Sequence, residues 1–491
     1  PFAFLMKIGL PPTDLKALTG EFTPPGITFL ASIKSFLDRS FNKFNIFITP
    51  ILIQLYLHFN QNNSNIVTNW EFSLDCAKKL DQNDKLSHFR DKFHFPTFSD
   101  KRPIYFTGNS LGLQPKLTRT YINRELDEWA KWGVDGHTRA ERPWMPYHEL
   151  FTDKIARLVG AKHSEVAVTH SLTTNLHLLM VSFFNPKGKR CKILCEKKAF
   201  PSDQYALQSQ LQFHGLNPKE NLIEVEPRVG EHTIRNEDII SIIEDHEDEI
   251  AMIMIGGVNY FTGQVFDMQK ISKAGHKIGA NVGFDLAHAA GNISLKLNEW
   301  NVDFATWCSY KYLNSGPGGV SGYFIHERHV SNENIPRFAG WWGHNKEDRF
   351  KMPDTFSPIP TAESWQLSNA PVISMAAHLA SLEIFDEAGF ENLRTKSIEL
   401  TNFLAFVIDE INKEVSINLE VITPKEENNR GCQLSIVAHG AERKLFNQLT
   451  AEGVISDWRE PNVIRVAPVP LYNSFEDVYR FGEVLKQALK I

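Results

Sequence analysis

Ala305-Thr-Trp-Cys-Ser-Tyr-Lys311-Tyr-Leu-Asn-Ser-Gly-Pro-Gly-Gly319 is the stretch on which the reading of this chain turns. A lysine among aromatic and small residues, just ahead of a glycine-rich turn, is badly placed for a solvent-facing charge. Upstream, Asn281-Val-Gly-Phe-Asp285-Leu-Ala-His288 puts a carboxylate and an imidazole into an otherwise apolar run. Taken singly, these are a surface lysine and a loop aspartate. Taken together, they suggest a pyridoxal phosphate site. There the lysine forms a Schiff base and the aspartate keeps the pyridine nitrogen protonated.

Working outward, short apolar runs alternate with helical patterns between about 151 and 330. Val166-Ala-Val-Thr169, Lys192-Ile-Leu-Cys195, Ile250-Ala-Met-Ile-Met-Ile255 and Asn281-Val-Gly-Phe284 read as buried strands. Helix candidates such as 171–184 and 202–214 lie between them. Near-continuous hydrophobic strands alternating with helices predict an α/β fold, with a mostly parallel sheet covered on both faces. Ligands in such sheets sit beyond the carboxyl ends of the strands, where Asp285 and Lys311 fall.

The spacing also predicts a helix over 117–132 closed by Gly133. From about 370 the pattern changes to long helices (372–387, 393–414), short strands (433–437, 463–467) and a last helix over 475–489. That reads as a smaller α+β C-terminal domain, with 424–431 as a surface loop. The organisation expected is an N-terminal segment over 70–149, a large cofactor-binding domain over 150–369 and the small domain over 370–491.

Composition narrows the partners. With 52 basic against 58 acidic residues the net charge is −6, which gives no electrostatic case for nucleic acid or an anionic membrane. Five scattered cysteines suit reduced thiols in a cytoplasmic enzyme, and Cys191 with Cys195 lacks the second pair a zinc site needs. No metal is expected. Residues 1–69 stand apart: they read as a poorly ordered extension or mis-translated sequence. Their apolar core, 46–57, is interrupted by Pro50 and Gln54 and falls short of the roughly 20 residues of a membrane span.

Three further stretches complete a cofactor site. Thr169-His-Ser-Leu172-Thr173-Thr-Asn175 places hydroxyls and backbone N–H groups at a strand-to-helix junction, a ready phosphate cradle or simply a good N-cap. In Phe200-Pro-Ser202-Asp203 the ring is placed to stack on a flat ligand, while Asp203 reads equally as a helix cap. Gly256-Gly-Val-Asn-Tyr-Phe-Thr-Gly-Gln264 is a glycine-bracketed turn after a buried strand.

With Phe106-Thr-Gly-Asn-Ser110-Leu-Gly-Leu-Gln-Pro115, Arg142-Pro-Trp144, Gly340-Trp341-Trp-Gly-His344 and Arg465-Val-Ala-Pro-Val-Pro-Leu-Tyr-Asn-Ser-Phe475, these motifs resemble the kynureninases, in order and over residues 70–491. The resemblance implies pyridoxal phosphate fold type I, the aspartate-aminotransferase fold. It implies hydrolytic cleavage of the Cβ–Cγ bond of kynurenine or 3-hydroxykynurenine in tryptophan catabolism and NAD biosynthesis. By the same resemblance Lys311 carries the cofactor, Asp285 pairs with its ring nitrogen and His288 lines it. Leu172, Thr173 and Tyr310 bind phosphate, and Phe200, Ser202 and Asp203 contact the ring and its substituents. Trp341 and Asn369 approach cofactor or substrate, Trp341 across the interface of a homodimer. Arg465 grips the substrate carboxylate, and Ser110, His137 and Asn369 shape the aryl pocket.

Gly256 stands where the family pattern has serine, which leaves that turn only its N–H groups for phosphate. Tyr310, next to the lysine, is the candidate proton relay. The rival on this fold is a cysteine desulfurase, which needs a mobile cysteine after the lysine, and only Cys432 follows Lys311. A cofactor-free binding protein on the same scaffold is the rival of a different class.

Overall fold

A computed structural model describes residues 70–98 and 102–490, so the segment 46–57 and the rest of 1–69 lie outside the described residues. The centre is a seven-stranded sheet. Its strands are β1 (Val166–Val168), β2 (Lys192–Glu196), β3 (Leu222–Val225), β4 (Ile250–Gly256), β5 (Asn281–Asp285), β6 (Phe304–Trp307) and β7 (Gly322–Ile325). They lie in the order β1-β7-β6-β5-β4-β2-β3. Only β7 runs against its neighbours, pairing antiparallel with both β1 and β6. The other six point the same way, so the carboxyl ends of β1, β2, β3, β4, β5 and β6 all open on one edge. Residues of β4 and β5 are buried almost throughout, as strands covered on both faces require.

The expected helices form within a residue or two of their predicted ends, except that α5 starts three residues early: α1 (Thr118–Trp132), α2 (Leu172–Phe183), α3 (Pro201–Phe213), α4 (Val372–Ala388), α5 (Phe390–Asn412) and α6 (Phe475–Leu489). Gly133 closes α1 at φ 52°, and Pro201 opens α3 where its missing N–H has no helical partner to lose. A second, antiparallel sheet holds β8 (Leu419–Val421), β9 (Leu434–Ala438), β10 (Asp457–Arg459) and β11 (Val463–Val466), in the order β8-β9-β11-β10. Its core is continuous with apolar side chains of α5 and α6.

The loop at 424–431 is on the surface only as far as Asn429. Arg430 and Gly431 are buried, because the Arg430 guanidinium closes the loop on the Pro424 and Lys425 carbonyls and on Asn402. The N-terminal segment is sewn to the C-terminal one: Ile104–Tyr105 pairs in parallel with Val454–Ile455, and Thr107 bridges to Ala467. No helix among the described residues is long and apolar enough to cross a membrane.

Candidate active site

The strand ends meet in a solvent-open cleft. Leu172 and Thr173 open α2 after β1, and Asp285 ends β5. Phe200, Ser202 and Asp203 follow β2, and Gly256 ends β4. His288, Tyr310 and Lys311 follow in the loops after β5 and β6. All ten line the cleft. The loop that carries Lys311 is fixed from two sides. Ser309 Oγ contacts Ser315 Oγ at 2.6 Å and donates to the Val320 carbonyl, and Gly112 N–H donates to the Tyr310 carbonyl at 2.9 Å. Gly112 is there because nothing larger fits: a Cβ would stand 2.4 Å from the Lys311 carbonyl oxygen.

One wall is built for an anion. The first N–H groups of α2 have no acceptor within the helix, and beside them Thr173 Oγ1 and Ser202 Oγ lie 2.7 Å apart. The opposite end holds acids. Asp285 Oδ1 accepts from Ala287 N–H at 2.6 Å. Burial and the repulsion of Asp285 push the Asp203 carboxyl far up, so the proton of this pair belongs to Asp203. Burial raises Asp285 as well, but the hydrogen bond from Asp203 and the Lys311 charge oppose this and favour its carboxylate. Burial, aided by the charges of Lys311, Arg465 and Arg459, keeps His288 neutral. Above the cleft Lys311 Nζ stands 5.7 Å from the centre of the Phe200 ring, whose other neighbour is Tyr260, edge-on at 5.2 Å.

Other expected residues lie outside this cleft. His137 accepts no place in it: its Nδ1 pairs with the Val134 carbonyl at 2.9 Å and its ring meets Trp144. Asn369 is exposed, and Trp341 is 46% exposed with its indole N–H on the Arg349 carbonyl. Within this one chain, then, the cofactor-side residues converge and these three do not. Arg465 departs further from expectation. It is 1% exposed, and its guanidinium is already bound by Asp457, by Ser110 Oγ at 3.3 Å and by the Tyr260 carbonyl at 2.7 Å. A second correction concerns the 256–264 turn. Gly256 N–H goes to the Glu196 carboxylate at 3.1 Å and Gly257 N–H to the Asp285 carbonyl at 2.7 Å, so neither is left for phosphate. A side chain at 256 would also crowd Glu196, since a Cβ would lie 3.0 Å from Oε1.

Glu196, Tyr260 and Asp457 are residues that sequence reasoning missed. Glu196 carried the one available signal, a lone acid closing an apolar strand. Burial pushes its carboxyl up to about 7.

The arrangement fits a flat, anionic heterocycle. Two buried polar atoms at the cleft, Asp203 Oδ1 and His288 Nδ1, find no partner among the described residues. With the hydroxyl pair, the helix start, the ring of Phe200 and the amine of Lys311, they form the donor set pyridoxal phosphate calls for. The desulfurase rival loses its nucleophile: Cys432 is 1% exposed and burial pushes its thiol up to about 12.

Comparison with known proteins agrees. Residues 393–485 match the kynureninase C-terminal domain. The chain is 56% identical over 417 residues to a kynureninase of Flavobacterium psychrophilum, covering 85% of this chain and 98% of that one. It is 46% identical over 430 residues to the kynureninase of Mus musculus, covering 84% and 92%. Among solved structures, a cysteine desulfurase from Thermococcus onnurineus superposes with a TM-score of 0.64 at 18% identity, over 79% of this chain and 95% of its own. The desulfurase CsdA of Escherichia coli reaches 0.66 at 14%, over 82% and 98%. Those two likenesses show the fold; the sequence relatives show more, and the chain belongs to the kynureninase family of pyridoxal phosphate-dependent hydrolases acting on carbon–carbon bonds.

Proposed function

We propose that the protein cleaves the Cβ–Cγ bond of L-kynurenine or 3-hydroxy-L-kynurenine, releasing L-alanine with anthranilate or 3-hydroxyanthranilate, in tryptophan catabolism and NAD biosynthesis. The observation that carries this reading is the convergence of Lys311, Asp285, Asp203 and His288 beneath Phe200 in one cleft. Leu172, Thr173, Ser202 and Tyr310 would hold the phosphate of pyridoxal phosphate, Phe200 would cover its ring, and the ionised Asp285 would pair with its nitrogen. When bound, pyridoxal phosphate supplies the electron sink that lets a carbanion form beside the substrate's amino group.

The protein's own groups do the rest. Lys311 Nζ removes the α-proton. Water adds to the side-chain carbonyl, the Cβ–Cγ electron pair passes to Cβ, where a proton makes the methyl group, and Lys311 Nζ returns a proton to the α-carbon to complete alanine. Tyr310 is the relay: burial and its neighbour Cys308 push its phenol well up, so at neutral pH it acts as a donor and not as a phenolate. Arg465 holds the substrate carboxylate. His137 and Asn369, which stand outside this chain's own cleft, would meet the aryl ring only in the assembled homodimer, to which Trp341 is contributed across the interface, with Ser110 at the ring's flank. Free cysteines throughout the described residues suit a cytoplasmic setting.

The test is to compare kcat/KM for the two substrates, with Lys311→Ala as control. Turnover of either substrate that vanishes with Lys311→Ala is the expected result. Failure to cleave both, or turnover surviving in Lys311→Ala, would overturn the proposal. If His137 and Asn369 read the 3-hydroxyl, that substrate is favoured, and equal values would remove their role.

A further inference from the structure

Asp457 and Arg465 face one another directly across β10 and β11, and the register that pairs them puts Arg459 on the same face, two residues along. Ser110 joins from the N-terminal segment. The Asp457 carboxylate accepts from Arg465 Nη2 and from Ser110 Oγ, and Arg459 Nη2 lies 3.3 Å from the same oxygen. Arg465 is anchored on its far side by the Tyr260 carbonyl, while its buried Nε finds no partner among the described residues. A guanidinium read as the seat for a substrate's carboxylate is therefore already holding one from its own chain.

We propose that Asp457 is a specificity-determining positioning residue: its carboxylate occupies Arg465 until the α-carboxylate of the substrate displaces it toward Arg459. The inference rests on the reading of Arg465 as the substrate's carboxylate seat. Its physical sense is charge exchange. An unpaired guanidinium at this depth would be costly, and swapping one carboxylate for another leaves Arg465 paired before and after binding. Arg459 has its side chain 36% exposed and can receive Asp457 at a small desolvation cost. Selection then acts by charge. An aryl-ketone amine without the α-carboxylate has nothing with which to displace Asp457, and Arg465 stays closed to it.

The experiment uses the holoenzyme and a 4-aryl-4-oxobutanoate, the substrate skeleton without its amino group, beside the matching amine without its carboxylate. Binding is read by calorimetry. If Asp457 holds Arg465 about nine-tenths of the time, it weakens apparent carboxylate affinity about tenfold. Asp457→Asn is accordingly expected to bind the oxobutanoate about tenfold tighter and the amine no differently, and to lower KM for the amino acid more than it changes kcat. Asp457→Glu should restore the weaker binding. Unchanged or weaker oxobutanoate binding in Asp457→Asn would mean that Asp457 merely orients Arg465, and would overturn the proposal.

Arg465→Met separates the underlying reading. Loss of oxobutanoate binding upholds the seat whatever Asp457 does, and retained binding removes seat and gate together. Should Asp457→Asn fail to fold, Arg459→Gln serves instead. Without its alternative partner Asp457 stays on Arg465, so oxobutanoate binding weakens; unchanged binding overturns the displacement.

Discussion

Tyr310 and Glu196 show how burial assigns chemical roles that composition cannot. The phenol of Tyr310 is held protonated by its surroundings, so its use is to give a proton and take it back. Tyr310→Phe is expected to slow turnover by the factor of about 10²–10⁴ typical of a lost general acid while cofactor absorbance is retained; an unchanged rate would exclude the relay. Glu196 titrates differently folded and unfolded. Burial raises its carboxyl from 4.5 to about 7. Below pH 4.5 both states carry the proton. Between 4.5 and 7 the unfolded chain ionises first, so stability falls as pH rises, by on the order of 3 kcal/mol in all. Glu196→Gln keeps the hydrogen bond from Gly256 and removes that penalty. Its melting temperature should exceed the parent's at pH 8 and match it at pH 4.5, and equal gains at both would show that ionisation is not the cause. The placement of Lys311, Asp285, His288 and Phe200 near strand ends was legible because each follows an apolar run. Asp457 was not, since its meaning depends on a hairpin register that places it opposite Arg465, and nothing in Ser456-Asp-Trp-Arg459 announces that register.

At the scale of elements, what the sequence shows is the period and what it hides is direction. Helices α4, α5 and α6 follow from apolar spacing and stop at their caps. The reversal of β7 was not legible, because a four-residue apolar strand reads the same in either orientation and only the preceding connection decides. The edge of the sheet opposite the cleft shows how the strands are secured. Asp303, just before β6, is buried there and accepts from His276 at 2.8 Å, His329 at 2.7 Å, Arg328 and the Val282 N–H. Burial alone would raise its carboxyl. The imidazole hydrogen bonds and the Arg328 charge outweigh that and hold it well below the usual range. A depressed carboxylate stabilises above the unfolded value, near 3.9, and the contribution is lost as pH falls through the folded one. Asp303→Asn should thus cost about 3–5 kcal/mol near neutrality, the cost of breaking a buried charge pair. Melting curves from pH 7 down to 2 should show the gap to the parent narrowing with acid. A gap constant with pH would show that packing, not charge, is what Asp303 supplies.

For the whole molecule, the incompleteness of the cleft is the informative fact. His137, Asn369 and Trp341 stand outside it, and around Trp341 the side chains of Phe338, Phe350 and Met352 are more than half exposed. An apolar cluster of this kind on a protein surface marks contact with another protein, and a second copy of the chain is the proposed partner. Sedimentation equilibrium should return twice the 56.0 kDa of the chain. A species of single-chain mass that turns substrate over normally would refute the shared site.

The pairing of Ile104–Tyr105 with Val454–Ile455 has a consequence for how the protein is made. A ribosome emits the N-terminal segment before its strand partner, and the Arg465 that meets Ser110 follows that serine by 355 residues. The large sheet waits as well, since β1 has β7 as its neighbour. Contacts so distant along the chain form slowly and leave apolar strands uncovered meanwhile. The nascent polypeptide therefore has a long interval in which chaperones can engage it. A product truncated before residue 454 would have neither a second strand for its N-terminal segment nor the Arg465 that meets Ser110, so the proposed carboxylate seat cannot form until long after the strands that line the cleft have been made.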